Sequence, residues 1–154
     1  MTENNEKIQA PAIQINAQYI KDLSFEAPDM PFVLLELKTP PEININIDLK
    51  AGKTKNEKVY TVDLSLRLNA KIKETDKTLF LCELVYGALV TLEVPEQERE
   101  PILMVEIPHL IFPYARAIIG NLIREAGLPA LQINPIDFAA LYHAKLAEKE
   151  QNKG

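Results

Sequence analysis

Between Glu42 and Ile72 the chain alternates apolar and polar residues through two runs joined by one turn. In EININIDLK, Ile43, Ile45, Ile47 and Leu49 take one side, and Glu42, Asn44, Asn46 and Asp48 take the other. In VYTVDLSLRLNAKI, Tyr60, Val62, Leu64, Leu66, Leu68, Ala70 and Ile72 lie opposite Thr61, Asp63, Ser65, Arg67 and Asn69. Successive side chains on a strand point to opposite faces, so a period of two predicts two half-buried strands. The intervening AGKTKNEK, with Gly52, is a hairpin connection.

The next run, TDKTLFLCELVYGALVTL at 75–92, is apolar on both sides. Leu79, Leu81, Val85 and Leu89 point one way; Phe80, Cys82, Leu84, Tyr86, Ala88 and Val90 point the other. Upstream, AIQINAQYIKDLSFEAP alternates, with Ile13, Ile15, Ala17, Tyr19, Leu23 and Phe25 on one face and Lys21 interrupting. Gln14, Asn16, Gln18, Asp22, Ser24 and Glu26 form its polar face, and Pro28 ends it. Residues 27–41 hold four prolines and read as a loop with a short apolar piece, FVLLEL.

Beyond residue 92 the period changes. EVPEQEREP reads as an acidic loop and ILMVEIPHLIF as an irregular lead-in. In YARAIIGNLIREAG, Ala115, Ile118, Ile119, Leu122, Ile123 and Ala126 recur at helical spacing, with Pro113 suited to the first turn and Gly127 to the residue after the end. LPALQI is an extended connector, and Asn134 caps a last helix with Pro135 at its first position. Strands followed by helices predict an α+β fold, a four-stranded antiparallel sheet with two helices on one face. The expected organisation is a disordered tail over 1–9, one domain over 10–147 and a second tail over 148–154.

A chain of 154 residues is long enough for one domain with a real core. Its net charge of −5 argues against nucleic acid and, more mildly, against anionic membranes. One cysteine cannot close an internal disulfide, the N-terminus has no signal-peptide pattern, and no apolar run approaches the roughly 20 residues of a membrane span. These features predict a cytoplasmic protein without membrane insertion. There is no glycine-rich phosphate loop, no H-E-x-x-H and no paired-cysteine zinc pattern, so no catalytic residue, metal or cofactor is assigned. His109 reads as a loop residue beside Pro108, and His143 as a surface helix residue. Cys82 reads as buried and inert. What stands out is surplus apolar area in 79–92, FVLLEL and LPALQI, of the kind that marks an interaction surface.

The strings YIKDLSFEAP, DKTLFLCELVYGA and IFPYARAIIGNLIREAGLPALQINPIDFAALY resemble the SecB protein-export chaperones of proteobacteria, over residues 11–146. The resemblance implies a homotetramer, a dimer of dimers, that uses no nucleotide. It implies a chaperone that binds unfolded precursor proteins, keeps them translocation-competent and delivers them to the SecA ATPase. By the matching motifs, SecA would dock on Asp22, Glu26, Leu81 and Glu83. Candidates for the client groove are Tyr19, Phe25, Phe80, Phe112, Leu128, Leu131 and Phe138. Cys82, Leu84 and Tyr86 would face the tetramer interface. The short tail EKEQNKG departs from the family's C-terminal region, which makes a second contact with SecA.

Two other readings compete. A hot-dog-like protein would hold an acyl chain or small ligand between a sheet and a long helix, but that helix would come early among the strands. A SecB-like chaperone of a toxin–antitoxin system would be expected to have fewer acids at Asp22, Glu26 and Glu83.

Overall fold

The computed structural model describes residues 11–152. Strands β1 (Ile13–Glu26), β2 (Glu42–Lys53), β3 (Val59–Lys71) and β4 (Thr78–Leu92) form one antiparallel sheet in the order β1-β4-β3-β2. β2, β3 and β4 are a meander of hairpins. β1 reaches the far edge by pairing with β4, so the two-faced strand is central and is flanked on both sides. The proline-rich crossover from β1 to β2 contains one helical turn, α1 (Val33–Glu36), tied to the β3–β4 turn by Lys77 Nζ at 2.9 Å from Glu36 Oε2.

One face of the sheet is covered by a helix that starts much earlier than the sequence predicts. Residues read as a loop and an irregular lead-in form α2 (Glu96–Pro101) and a π-helical turn (Ile102–Glu106), continuous with α3 (Ile107–Glu125). His109 therefore sits exposed on a helix rather than in a loop. Prolines at 101, 108 and 113 hid this, because a proline inside a helix lacks its N–H and crowds the preceding turn. The widened turn helps absorb the problem: the Ile107 N–H bonds to the Ile102 carbonyl, five residues back, just ahead of Pro108. Packing supplies the rest. Ile107, Ile111, Ala115, Ile119 and Ile123, four residues apart, are all buried. The four isoleucines buried this way contribute about 6–12 kcal/mol together, enough to match the roughly 3 kcal/mol that each of the three prolines would cost. The joined helix, Glu96–Glu125, is long and apolar enough by length and composition to cross a membrane, contrary to the sequence expectation. Here its apolar stripe lies in the protein core.

α3 stops at Gly127, which has φ +80°; the Leu128 N–H bonds back to the Ile123 carbonyl, closing the turn. The chain then runs without helix or strand to Asp137, whose side chain accepts from the Ala140 N–H at 3.0 Å and starts α4 (Phe138–Gln151). The cap is thus three residues later than Asn134. α4 also continues to Gln151, past the expected domain end at 147. The tail expected over 1–9 lies outside the described residues.

Strand β1 is where alternation misleads. Its pairing with β4 slips twice, leaving Asn16 and Lys21 as extra residues. Each bulge flips the faces, and two flips cancel at the ends. Ile13, Ile15, Leu23 and Phe25 keep the predicted helix side, whereas Ala17 and Tyr19 turn to the outer face and Gln18 and Ile20 turn inward. Gln18 Oε1 accordingly accepts from the Tyr86 hydroxyl at 3.1 Å, and the Tyr19 ring lies over Gly87, where a Cβ would come within 2.5 Å of it. A third slip, beside Leu79, puts that residue in the core next to Phe80 rather than on the outer face with Leu81.

Cys82, Leu84 and Tyr86, assigned from the resemblance to a subunit interface, are core residues of the single chain. Cys82 is 0% exposed, and the helix-side layer of the same chain already covers all three. Burial, and then the charge of Glu83, push the Cys82 thiol up from its ordinary pKa. The folded protein is therefore expected to leave Cys82 unmodified by a thiol reagent at neutral pH, with one thiol per chain appearing in denaturant. Rapid labelling of the folded protein would overturn this placement.

Candidate functional site

The sheet face turned away from α3 gathers the four residues that the SecB resemblance singled out. Glu26 pairs with Leu81, Ser24 with Glu83 and Asp22 with Val85, so Asp22, Glu26, Leu81 and Glu83 share the outer face of the β1–β4 ladder. The Lys21 bulge matters here, because without it the second half of β1 would present Leu23 and Phe25 instead. Asp22 and Glu26 are exposed, and Leu81 is an exposed leucine within the acidic set. Among the described residues neither Asp22 nor Glu26 has a cation within 4 Å.

Two cations noted in the sequence, Arg67 and Lys21, make ion pairs on this face that the sequence does not reveal. Arg67, directly across the ladder from Glu83, holds it with Nε at 2.8 Å from Oε1. Lys21 reaches Asp63 on β3, with Nζ at 2.8 Å from Oδ2, and that bond raises the lysine's pKa. Only the register reveals either pair.

The other candidate surface is a groove of about 380 Å³ on the helix side of the sheet. Phe80 and Leu79 from β4 and Ile123 from α3 form its inner end. Leu128 and Leu131 of the connector form one wall, and Leu37, Pro40, Pro41 and Ile43 form the other. Of the two segments with surplus apolar residues in the sequence, LPALQI thus forms one lip of the groove, and FVLLEL gives its last residue, Leu37, to the other. Phe25 stacks on Phe80, with centroids 5.5 Å apart, and supports it from β1. The remaining groove candidates lie elsewhere. Phe112 and Phe138 pack edge to face against each other, both buried, at 5.9 Å. Tyr19 is on the opposite face of the sheet. Ahead of the groove's Leu37, Phe32 at the start of α1 and Leu35 within it are exposed, at 69% and 83%.

Four further large apolar side chains are exposed on the helix side of the sheet and on α3. Ile20, Leu23, Leu110 and Tyr114 are all exposed, the first two on the helix side of edge strand β1 and the others on α3. The bulge flip hid Ile20, and the unrecognised start of the helix hid Leu110. His109 and His143 are exposed on different helices, and among the described residues no group of three His, Cys, Asp or Glu could hold a metal ion.

Residues 6–149 match the model of the family described as preprotein translocase subunit SecB. The chain belongs to the SecB family. As a SecB it is a chaperone for preprotein export, in a family of chaperones rather than known enzymes. It is 40% identical over 147 residues to the protein-export protein SecB of Granulibacter bethesdensis, covering 92% of this chain and 86% of that one. Against the SecB of Rhodospirillum rubrum it is 44% identical over 138 residues, covering 90% and 84%. The fold is also that of a SecB-like chaperone of Mycobacterium tuberculosis solved with a ChAD peptide from an antitoxin. That match has a TM-score of 0.68 at 14% identity, over 81% of this chain and 91% of that one. The long helix of this SecB follows all four strands, which removes the ground for the hot-dog reading.

Proposed function

We propose that this SecB is a cytoplasmic, ATP-independent holdase that works as a dimer of dimers, seats apolar segments of unfolded precursors in the Phe80–Leu128–Leu131 groove and docks SecA on its acidic outer face. The observation that carries this reading is the separation of two unlike surfaces on one rigid sheet. An apolar groove with few fixed polar groups accepts many sequences, because it demands shape and burial rather than specific hydrogen bonds. The outer face offers exposed carboxylates around one leucine, which suits fast, charge-steered docking of a basic partner surface. A client and SecA would then be held at once without competing for residues.

Subunit contact is better carried by Ile20, Leu23, Leu110 and Tyr114 than by the buried Cys82, Leu84 and Tyr86. These four form an apolar set that one chain leaves uncovered. Light scattering after size exclusion tests the whole reading: a tetramer that co-elutes with a chemically unfolded precursor, and not with its folded form, is expected. Leu110→Arg with Tyr114→Arg is expected to lower the mass toward dimers or monomers at micromolar concentration. An unchanged mass would remove these residues from the interface, and a wild-type protein that ignores the unfolded chain would remove the holdase reading.

A further inference from the structure

We propose that a basic cleft at the opposite end of β2 from the groove binds an acidic stretch of extended polypeptide. The chain has a net charge of −5, yet this cleft, about 520 Å³, is lined by five cations and two acids. Lys50 and Lys53 come from the end of β2, Arg99 from α2, and Lys145 and Lys149 from α4; the acids are Glu96 and Glu100. Lys145 is already bound, with Nζ at 2.9 Å from Asp48 Oδ1 and from the Leu49 carbonyl. Among the described residues, Lys50, Lys53, Arg99 and Lys149 have no carboxylate within 4 Å.

Arg99 is the fixed part of the site. One terminal nitrogen donates to the Tyr60 hydroxyl at 3.0 Å, and the guanidinium carbon lies 6.0 Å from the Tyr60 ring centroid. Its Nε is buried with no acceptor. The held guanidinium keeps a terminal nitrogen that is neither bonded nor buried, a ready charge-assisted donor for a carboxylate. Its position between Tyr60 and the free lysines therefore favours an incoming anion. The floor is apolar, from Leu103, Met104 and Leu146 beside Tyr142.

The shape selects the kind of anion. A second open hollow, about 350 Å³, shares Lys53, Tyr60 and Arg99 with the first and adds Glu57 and Lys58, the latter already held with Nζ at 3.2 Å from Glu93 Oε1. The two share these residues as one open trough, apolar-floored in its first part and polar in its second, which suits a chain mixing acidic and apolar side chains better than a compact small anion. The trough is also in line with the groove. Ile43 lines the groove and Leu49 lines the cleft, six residues apart on the same edge strand, or about 20 Å. An extended client lying along β2 would reach both; that continuity rests on the holdase reading, while acidic-peptide binding does not.

The test is fluorescence anisotropy with a labelled extended peptide alternating Glu with Leu and Tyr, beside its Glu→Gln twin. The full-length protein is compared with the Lys53→Glu, Lys149→Glu double variant, whose two positions are exposed. Expected are at least ten-fold tighter binding of the acidic peptide than of its twin, and at least ten-fold loss in the variant. Capture of an unfolded, uncharged client should be unchanged in the variant. Equal binding of the twins, or retention within two-fold in the variant, would overturn the proposal. So would full displacement by inorganic phosphate at matched ionic strength, which would make the cleft a small-anion site. A wild-type protein that binds the acidic peptide but captures no unfolded client would sink the holdase reading and leave this proposal standing.

Discussion

Asp22→Lys combined with Glu83→Lys is expected to weaken SecA binding by ten-fold or more at low salt while leaving client capture unchanged. The two carboxylates lie on adjacent strands of the outer face, and neither lines the apolar groove. Reversing both changes the local charge by four units, where an encounter guided by complementary charge is sensitive to each one. The loss should shrink as salt rises, because exposed charges are screened over about 10 Å at 0.1 M. Glu83→Lys also puts a cation opposite Arg67, its present partner, and like charges facing across a ladder are destabilising. Glu83→Gln separates the two effects: it breaks the ion pair without creating repulsion and should give a smaller loss. Leu81→Ala should weaken binding in a way that salt does not restore. Titration calorimetry with purified SecA is the measurement, and full affinity of the double variant at low salt would remove this face from SecA docking.

Phe80→Ala is expected to be the most disruptive truncation, destabilising the chain by about 3–5 kcal/mol. Phe80 is fully buried, stacks on Phe25 and closes the inner end of the groove. Its loss leaves a cavity joined to the groove, so both packing and apolar transfer energy are lost. Against a typical stability of 5–15 kcal/mol this is a large fraction. Urea unfolding followed by circular dichroism, at one fixed protein concentration so that subunit association is constant, reads the change. Leu131→Ala is the companion variant. Leu131 is only partly buried on the groove lip, so its truncation should lower client affinity with a much smaller effect on unfolding. Equal destabilisation by the two variants would mean that the lip belongs to the core and is not a binding surface.

The sequence determined the sheet-then-helix order, the inward faces of β2 and β3, the helix-facing side of β4 from Phe80 to Val90 and the stop of α3 at Gly127. Each follows from a local period or a local backbone requirement. The acidic set was legible as well, through the KDLSFE and TLFLCEL strings and their resemblance to one family. Tertiary structure decided what no period carries. The bulges at Asn16 and Lys21 arise from pairing with β4, and they alone turned Tyr19 outward and exposed Ile20. Burial of the Ile107–Ile123 stripe overrode three prolines and built a helix through residues that read as a loop. The groove formed because the stretch 37–43 and LPALQI, some 90 residues apart, close over the same end of the sheet. Local sequence fixes which residues share a face only where the pairing has no bulge, as in β2 and along β3. Which element covers that face is a long-range packing outcome, set by register and by the apolar area left to bury.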